Sequence, residues 1–282
     1  MALAHINPTV GDLGGNRQLI EEAVHKAREA RANLVVFSEM ALTGYPPMDL
    51  LARDGFVNDQ LRELDTLTAS SQDITVVLGA VLRAPGALPK ELQNAAVVLS
   101  GGNRIGVQAK SLLPSYDVFD ERRYFSPAKK REPLSVPGLD ASLGLAICED
   151  TWTPQVEYSI EPVAELAAAG ATHIINPSAS PWHVGKPLER RKLLCRLAAE
   201  QRLPVIFVNQ VGGNDELIFD GGSFVADAEG RVIASLPLFE SAFSVIDLAS
   251  PGPSTDSAEV VEPDHVTQLE SGLVLGIRDY FL

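Results

Sequence analysis

The sequence predicts a layered α/β fold. Three observations carry that expectation. Short apolar runs rich in Val, Ile and Leu alternate with segments of helical periodicity along most of the 282 residues. Gly, Pro and Asn turns bound those runs, and several of them end abruptly in one reactive side chain. Such alternation builds sheets covered by helices.

The elements follow in order. Residues 2–7 read as a first strand. Residues 16–31 carry Leu19, Ile20, Ala23, Val24, Ala27 and Ala30 at helical spacing before a polar turn. Residues 34–37 form a buried strand, 58–70 a second helix and 74–82 a long strand. Residues 95–100 and 105–110 read as a hairpin about the turn Gly101-Gly102-Asn103. The stretch 111–131 is long, polar and aromatic (Tyr116, Phe119, Tyr124, Phe125), which suits a functional loop. Beyond it, 142–148, 172–176 and 205–210 are strands and 157–169 and 188–202 helices, with a closing antiparallel set at 217–226, 232–235 and 243–247. No repeat is visible. Residues 250–257 have linker composition, and Leu269, Leu273, Ile277 and Tyr280 then share one helical face. That helix either packs back on the domain or opens a further one. The division expected is 1–248 and 249–282.

Composition narrows function. Against 23 Lys and Arg stand 37 Asp and Glu, a formal charge of −14 with no basic block, so duplex nucleic acid and anionic membranes are not expected partners. The uncharged stretch 166–185 is broken by Asn176, Pro177, Pro181 and His183 and makes a poor membrane span. Two cysteines, Cys148 and Cys195, build neither a disulfide framework nor a cysteine-rich zinc site, and the five histidines show no two-ligand spacing, so no metal is expected. The opening residues lack the basic and apolar regions of a signal peptide, which points to a cytoplasmic protein with reduced thiols.

Three strand ends carry chemistry. Cys148 closes Gly-Leu-Ala-Ile-Cys148 ahead of two acids, where a thiol is either a nucleophile or a small core residue. Glu39 closes Leu34-Val-Val-Phe-Ser-Glu39, where partial desolvation favours proton transfer, although a loop acid fits the same position. Lys110 closes Ile105-Gly-Val-Gln-Ala-Lys110 and, alone, reads as a surface lysine. Cys195, within an Arg- and Lys-rich helical stretch, lacks an acid–base setting and reads as core.

Taken together, these segments resemble the nitrilase, or carbon–nitrogen hydrolase, superfamily, whose Glu–Lys–Cys triad follows strands in this order. A second family glutamate matches Glu121 in Val118-Phe-Asp-Glu-Arg-Arg-Tyr-Phe125. The motifs Asn7-Pro-Thr-Val-Gly-Asp12, Leu42-Thr-Gly-Tyr-Pro-Pro47, Leu113-Pro-Ser-Tyr-Asp-Val-Phe-Asp-Glu121, Ser178-Ala-Ser-Pro181, Asn209-Gln-Val-Gly-Gly-Asn-Asp-Glu216 and Phe219-Asp-Gly-Gly-Ser223 are similar to glutaminase domains of glutamine-dependent NAD synthetases, over about residues 2–248. Ser38 departs from the proline that many relatives carry before the glutamate.

The resemblance implies a four-layer α-β-β-α sandwich and hydrolysis of the glutamine side-chain amide. Cys148 would be the nucleophile and Glu39 the proton carrier. Lys110 and the Glu149 N–H would hold the oxyanion, and Glu121 would position Lys110. Tyr116, Glu149, Ser180 and Lys186 are candidates for gripping the α-amino and α-carboxylate groups, with a solvated helix-start lysine the other reading of Lys186. Trp152 and Trp182 suit packing or substrate contact, and residues 42–49 a pocket wall or a rigid turn. It also implies a synthetase domain or subunit as partner and homo-oligomers. No cofactor is expected in this chain: ATP and magnesium belong to the absent synthetase domain, whose nucleotide loop needs Ser-Gly-Gly-x-Asp-Ser, whereas Ser100-Gly-Gly-Asn-Arg-Ile105 lacks the Asp-Ser and reads as a hairpin turn. A free-standing amidase or carbamoylase is the alternative activity, and a regulatory module with a decayed site the alternative class.

Overall fold

A computed structural model describes residues 1–84, 91–153, 158–248 and 264–281. Its first half contains β1 (Ala2–His5), α1 (Leu13–Glu29), β2 (Leu34–Val36), α2 (Asp54–Ala69), β3 (Thr75–Arg83), β4 (Leu92–Ser100), β5 (Asn103–Ala109), β6 (Leu134–Ser135) and β7 (Ser142–Leu145). Then come α3 (Pro162–Ala168), β8 (His173–Ser178), α4 (Lys186–Gln201), β9 (Val205–Asn209), β10 (Val211–Asn214), β11 (Leu217–Asp220) and β12 (Phe224–Ala226). The chain closes with β13 (Val232–Ser235), β14 (Ala242–Val245) and α5 (His265–Phe281).

Two six-stranded sheets stack face to face, in the orders β14-β1-β2-β3-β4-β5 and β13-β12-β9-β8-β7-β6. The period-2 alternation of each strand sorts its side chains between layers. Ala2 and Ala4 of β1 join Ile20, Val24, Leu64 and Leu67 of α1 and α2, while Leu3 between them faces the other sheet. On the far side Val205 and Phe207 of β9 meet Leu194 and Leu197 of α4, while Ile206 and Val208 point between the sheets. Three buried apolar seams thus separate four layers, helix–sheet–sheet–helix, the sandwich that the sequence implied.

Several boundaries differ from expectation for physical reasons. α1 starts three residues early because the Asp12 side chain accepts the Gly15 N–H at 2.9 Å and caps it. The strand into the nucleophile stops at Leu145, and Cys148 opens a 3₁₀ turn, Cys148–Thr151. The run 217–226 breaks at Gly221 and Gly222, whose φ values of +64° and +60° suit glycine. β11 pairs with β10 in a separate two-stranded ribbon, whereas β12 joins the second sheet. The closing set is also divided: β14 pairs with β1 in the first sheet and β13 with β12 in the second. α3 begins at Pro162, and part of the helix expected over 157–169, like the linker 250–257, lies outside the described residues.

α5 packs back on the body without burying the apolar face noted in the sequence. Leu269, Leu273, Ile277 and Tyr280 are exposed, and the buried residues are Gln268, Gly272 and Leu275. Docking is by close backbone approach. A Cβ on Gly272 would lie 3.1 Å from the Trp182 ring, and one on Gly213 3.0 Å from the Gly276 Cα. Asp279 Oδ2 then accepts the Gly213 N–H and the Asn7 Nδ2, each at 2.8 Å. No described helix is long and apolar enough to cross a membrane.

Candidate active site

β2 and β7 run parallel to their neighbours β3 and β8, and β5 points the same way as β3 through two antiparallel pairings. Their C-terminal ends therefore share one edge of the sandwich, where α/β sheets bind ligands. Glu39, Lys110 and Cys148 all lie there, buried. The surface reading of Lys110 does not hold; Glu39 sits in the turn after β2, fully buried.

Lys110 is the hub. Its Nζ donates to Glu39 Oε1 at 2.8 Å and Glu121 Oε1 at 2.6 Å, and its side chain is only 1% exposed. Burial alone would lower its pKa. Glu121 and Glu39 outweigh burial and hold the ammonium charged, well above the usual lysine value. Glu39 Oε2 also accepts the Ala179 N–H at 2.9 Å, which ties the base to the loop after β8. Glu121 accepts the Tyr45 hydroxyl at 2.9 Å, so residue 45 belongs to the site wall rather than to a remote turn. Burial raises the Glu121 carboxyl to about 7, against the pull of Lys110.

Cys148 adopts φ +42°, the strained left-handed region for a residue with a Cβ. Burial pushes its thiol well above the usual value; Glu39 adds to this and Lys110 opposes it. The resting sulfur is a thiol, so attack requires a base. Glu149 is the second residue of the turn, where backbone N–H groups have no partner within the helix.

Asp150 fixes this turn. Its Oδ1 accepts the N–H groups of Ser111 at 3.0 Å and Leu112 at 2.8 Å, and its Oδ2 that of Ile147 at 3.0 Å. One buried carboxylate thus ties the residues after Lys110 to the residue before Cys148. Gly79 of β3 is equally constrained, since a Cβ there would sit 2.1 Å from the Met40 N and 2.6 Å from the Glu39 Cα.

The remaining candidates rim the same edge. Tyr116 donates its hydroxyl to Glu149 Oε1 at 2.8 Å, and Tyr158, which the sequence did not single out, does so at 2.6 Å. Burial and Glu149 raise both phenols further. Lys186 Nζ lies 3.7 Å from the centre of the Trp152 ring, and burial lowers its pKa, so it is not a freely solvated helix start. Ser180 donates its N–H to Asn209 Oδ1 at 2.8 Å, and its hydroxyl accepts from Arg190 at 3.4 Å. Arg190 in turn pairs, fully buried, with Asp220 at 2.6 Å. Trp182 stacks edge-on to Phe239, a packing role. Cys195 is half-buried on α4. Among the described residues no group of three His, Cys, Asp or Glu is placed to hold a metal ion.

A family model for carbon–nitrogen hydrolases matches residues 1–252. The chain belongs to the carbon–nitrogen hydrolase family. It is 38% identical over 294 aligned positions to the glutamine-dependent NAD(+) synthetase of Synechocystis sp., an alignment covering 99% of this chain and 52% of that protein. Among solved structures, glutamine-dependent NAD+ synthetase from Acinetobacter baumannii in complex with ADP superposes at a TM-score of 0.88 and 33% identity, over 99% of this chain and 51% of that one. A variant of the amidase from Nesterenkonia sp. AN1, showing Michael addition of acrylamide at its active site cysteine, superposes at 0.75 and 25% identity, over 92% and 97%. This carbon–nitrogen hydrolase chain spans about half the length of the curated NAD synthetase relatives it matches.

Proposed function

We propose that this chain hydrolyses the side-chain amide of L-glutamine to glutamate and ammonia, and that the ammonia serves an ATP-dependent amidation of deamido-NAD on a synthetase domain or subunit. The observation that carries the reading is the buried Lys110, bonded to both Glu39 and Glu121, together with Cys148 held at a positive φ.

Glu39 takes the Cys148 proton as sulfur bonds the amide carbon. Lys110 and the Glu149 N–H stabilise the oxygen that gains charge, a contribution typically worth about 10²–10³-fold per donor. When the C–N bond breaks, Glu39 returns the proton to the leaving nitrogen and ammonia departs. Water then attacks the glutamyl thioester, Glu39 accepts its proton, and glutamate leaves as the thiol re-forms. Each proton transfer is typically worth about 10²–10⁴-fold. The Glu149 carboxylate suits the substrate ammonium, and Lys186 suits its carboxylate.

The likeness to glutamine-dependent NAD synthetases favours glutamine, and the likeness to the Nesterenkonia amidase supports a simple aliphatic amide as the second reading. The exposed apolar side of α5, with Leu273, Val274 and Ile277 more than half exposed, suits burial against a synthetase half of the relatives' kind. Ammonia release from glutamine, compared with release from aliphatic amides and N-carbamoyl amino acids, tests the substrate. Turnover of the simple amides but not of glutamine overturns it. Added ammonia-dependent synthetase with ATP and deamido-NAD is expected to accelerate glutamine turnover.

A further inference from the structure

Asn94 lies near the start of β4, 1% exposed, and contacts the charged cluster in a way no pattern in the sequence foretells. Its Nδ2 donates to Glu39 Oε1 at 2.6 Å and to Glu121 Oε2 at 3.4 Å. Its backbone carbonyl accepts the Lys110 N–H at 2.8 Å. One residue therefore touches the base, the second glutamate and the lysine at once. The two carboxylates fix the amide orientation, with NH₂ toward them and Oδ1 away. That Oδ1 is buried and has no partner among the described residues. An unpaired buried acceptor is costly, so the site, not the packing of β4, accounts for an amide here.

We propose that Asn94 is a positioning residue of the hydrolytic site, holding Glu39 and Glu121 on either side of Lys110 in the arrangement that lets Glu39 receive the Cys148 proton. The proposal rests on the catalytic reading above. Without the Asn94 NH₂, Glu39 keeps Lys110 and the Ala179 N–H but loses the donor it shares with Glu121, and the two carboxylates then compete for one ammonium. The groups facing this amide are Glu39 after β2, Lys110 after β5 and Glu121 of the long loop. Tyr45 and Cys148 lie close behind them, and both feel the charge of Glu39.

The test uses Asn94→Ala, Asn94→Asp and Asn94→Ser in the full chain, with two readouts. The first is the pH profile of Cys148 alkylation by iodoacetamide, followed by mass spectrometry of the Cys148 peptide, which needs no substrate. The second is kcat and KM for glutamine, normalised to titratable Cys148. For Asn94→Ala, kcat is expected to fall about 10–100-fold, a fraction of what proton transfer is worth. KM should change less than about threefold, and the acid limb of alkylation should move up by roughly half a pH unit, since a donor to the carboxylates is gone. Asn94→Ser restores part of both. Asn94→Asp keeps the shape but adds a third carboxylate, so its acid limb moves further still. A purely structural role would instead leave the alkylation profile of soluble Asn94→Ala and Asn94→Ser unchanged and scale activity with folded protein. That result overturns the proposal, and the Ser variant delivers it even where Ala fails to fold. Should wild-type protein turn over no amide, the proposed function falls while the alkylation profile still decides Asn94.

Discussion

The Asp150 carboxylate accepts the Leu112 N–H at 2.8 Å, two residues beyond Lys110, while its other oxygen holds the N–H of Ile147, adjacent to Cys148. Cys148 and Lys110, the proposed nucleophile and oxyanion donor, follow strands of different sheets, and this acid ties their two segments together. Asp150→Ala leaves three buried N–H groups unpaired. At about 1–3 kcal/mol for each unsatisfied donor, offset by any water that enters, a loss of at least about 2 kcal/mol is expected in urea unfolding. Glutamine turnover of the folded fraction should fall by at least about tenfold. Unchanged kcat per folded molecule would contradict the bridging role.

Stability should also depend on pH through the buried acids. Burial raises the carboxyls of Asp150 and Glu121 to about 7. Because both folded-state values lie above the unfolded ones, these groups favour the fold fully below about pH 4 and lose that contribution as pH rises through 7. Asp150→Asn abolishes one of the two titrations. Relative to wild type, the variant is expected to gain stability between pH 5 and pH 8, measured as the shift in urea midpoint. A constant difference across that range would show that Asp150 does not titrate there.

Two glycine substitutions separate close approach from ordinary helix propensity. Gly79→Ala drives a methyl into the Met40 N at 2.1 Å, backbone against backbone, and displaces Glu39. Loss of activity by about 10²-fold or more, or loss of soluble protein, is the expected outcome. Gly55→Ala on α2 meets nothing within 4 Å and is expected to stabilise by about 0.5–1 kcal/mol without touching kcat. Wild-type activity in Gly79→Ala would mean that the base tolerates movement.

The two tyrosine hydroxyls both donate to Glu149 Oε1, and under the proposed function its other oxygen takes the substrate ammonium. Tyr116→Phe and Tyr158→Phe are each expected to raise KM for glutamine about 3–10-fold, the order of one hydrogen bond to a charged group, with kcat nearly kept. Steady-state kinetics on both variants check this; a fall in kcat at constant KM would place the pair in the chemistry instead.

The parts of this architecture that the sequence disclosed are those in which one residue breaks a pattern. Glu39 and Cys148 each follow an apolar run, so the transition from buried strand to reactive group was visible along the chain, whereas Lys110 follows a half-exposed strand and stood out only beside the other two. Asn94 is a single polar residue near the start of β4, and Asp150 and Tyr158 stand among other polar residues. Only the fold brings their partners, up to 55 residues away, into contact. Periodicity grouped the larger apolar side chains of α5 on one face, which is exposed, but gave no sign that the helix docks through its glycines. Gly221 and Gly222 likewise hid a change of sheet within one apparent strand.

The central claim is tested most directly by treating the protein with an electrophilic glutamine analogue and mapping the adduct by mass spectrometry. A single adduct on Cys148, blocked by excess glutamine and lost in Glu39→Gln and Lys110→Met proteins that remain folded, is the predicted result. Modification confined to Cys195, or labelling of Cys148 indifferent to glutamine, Glu39 and Lys110 alike, would contradict the account.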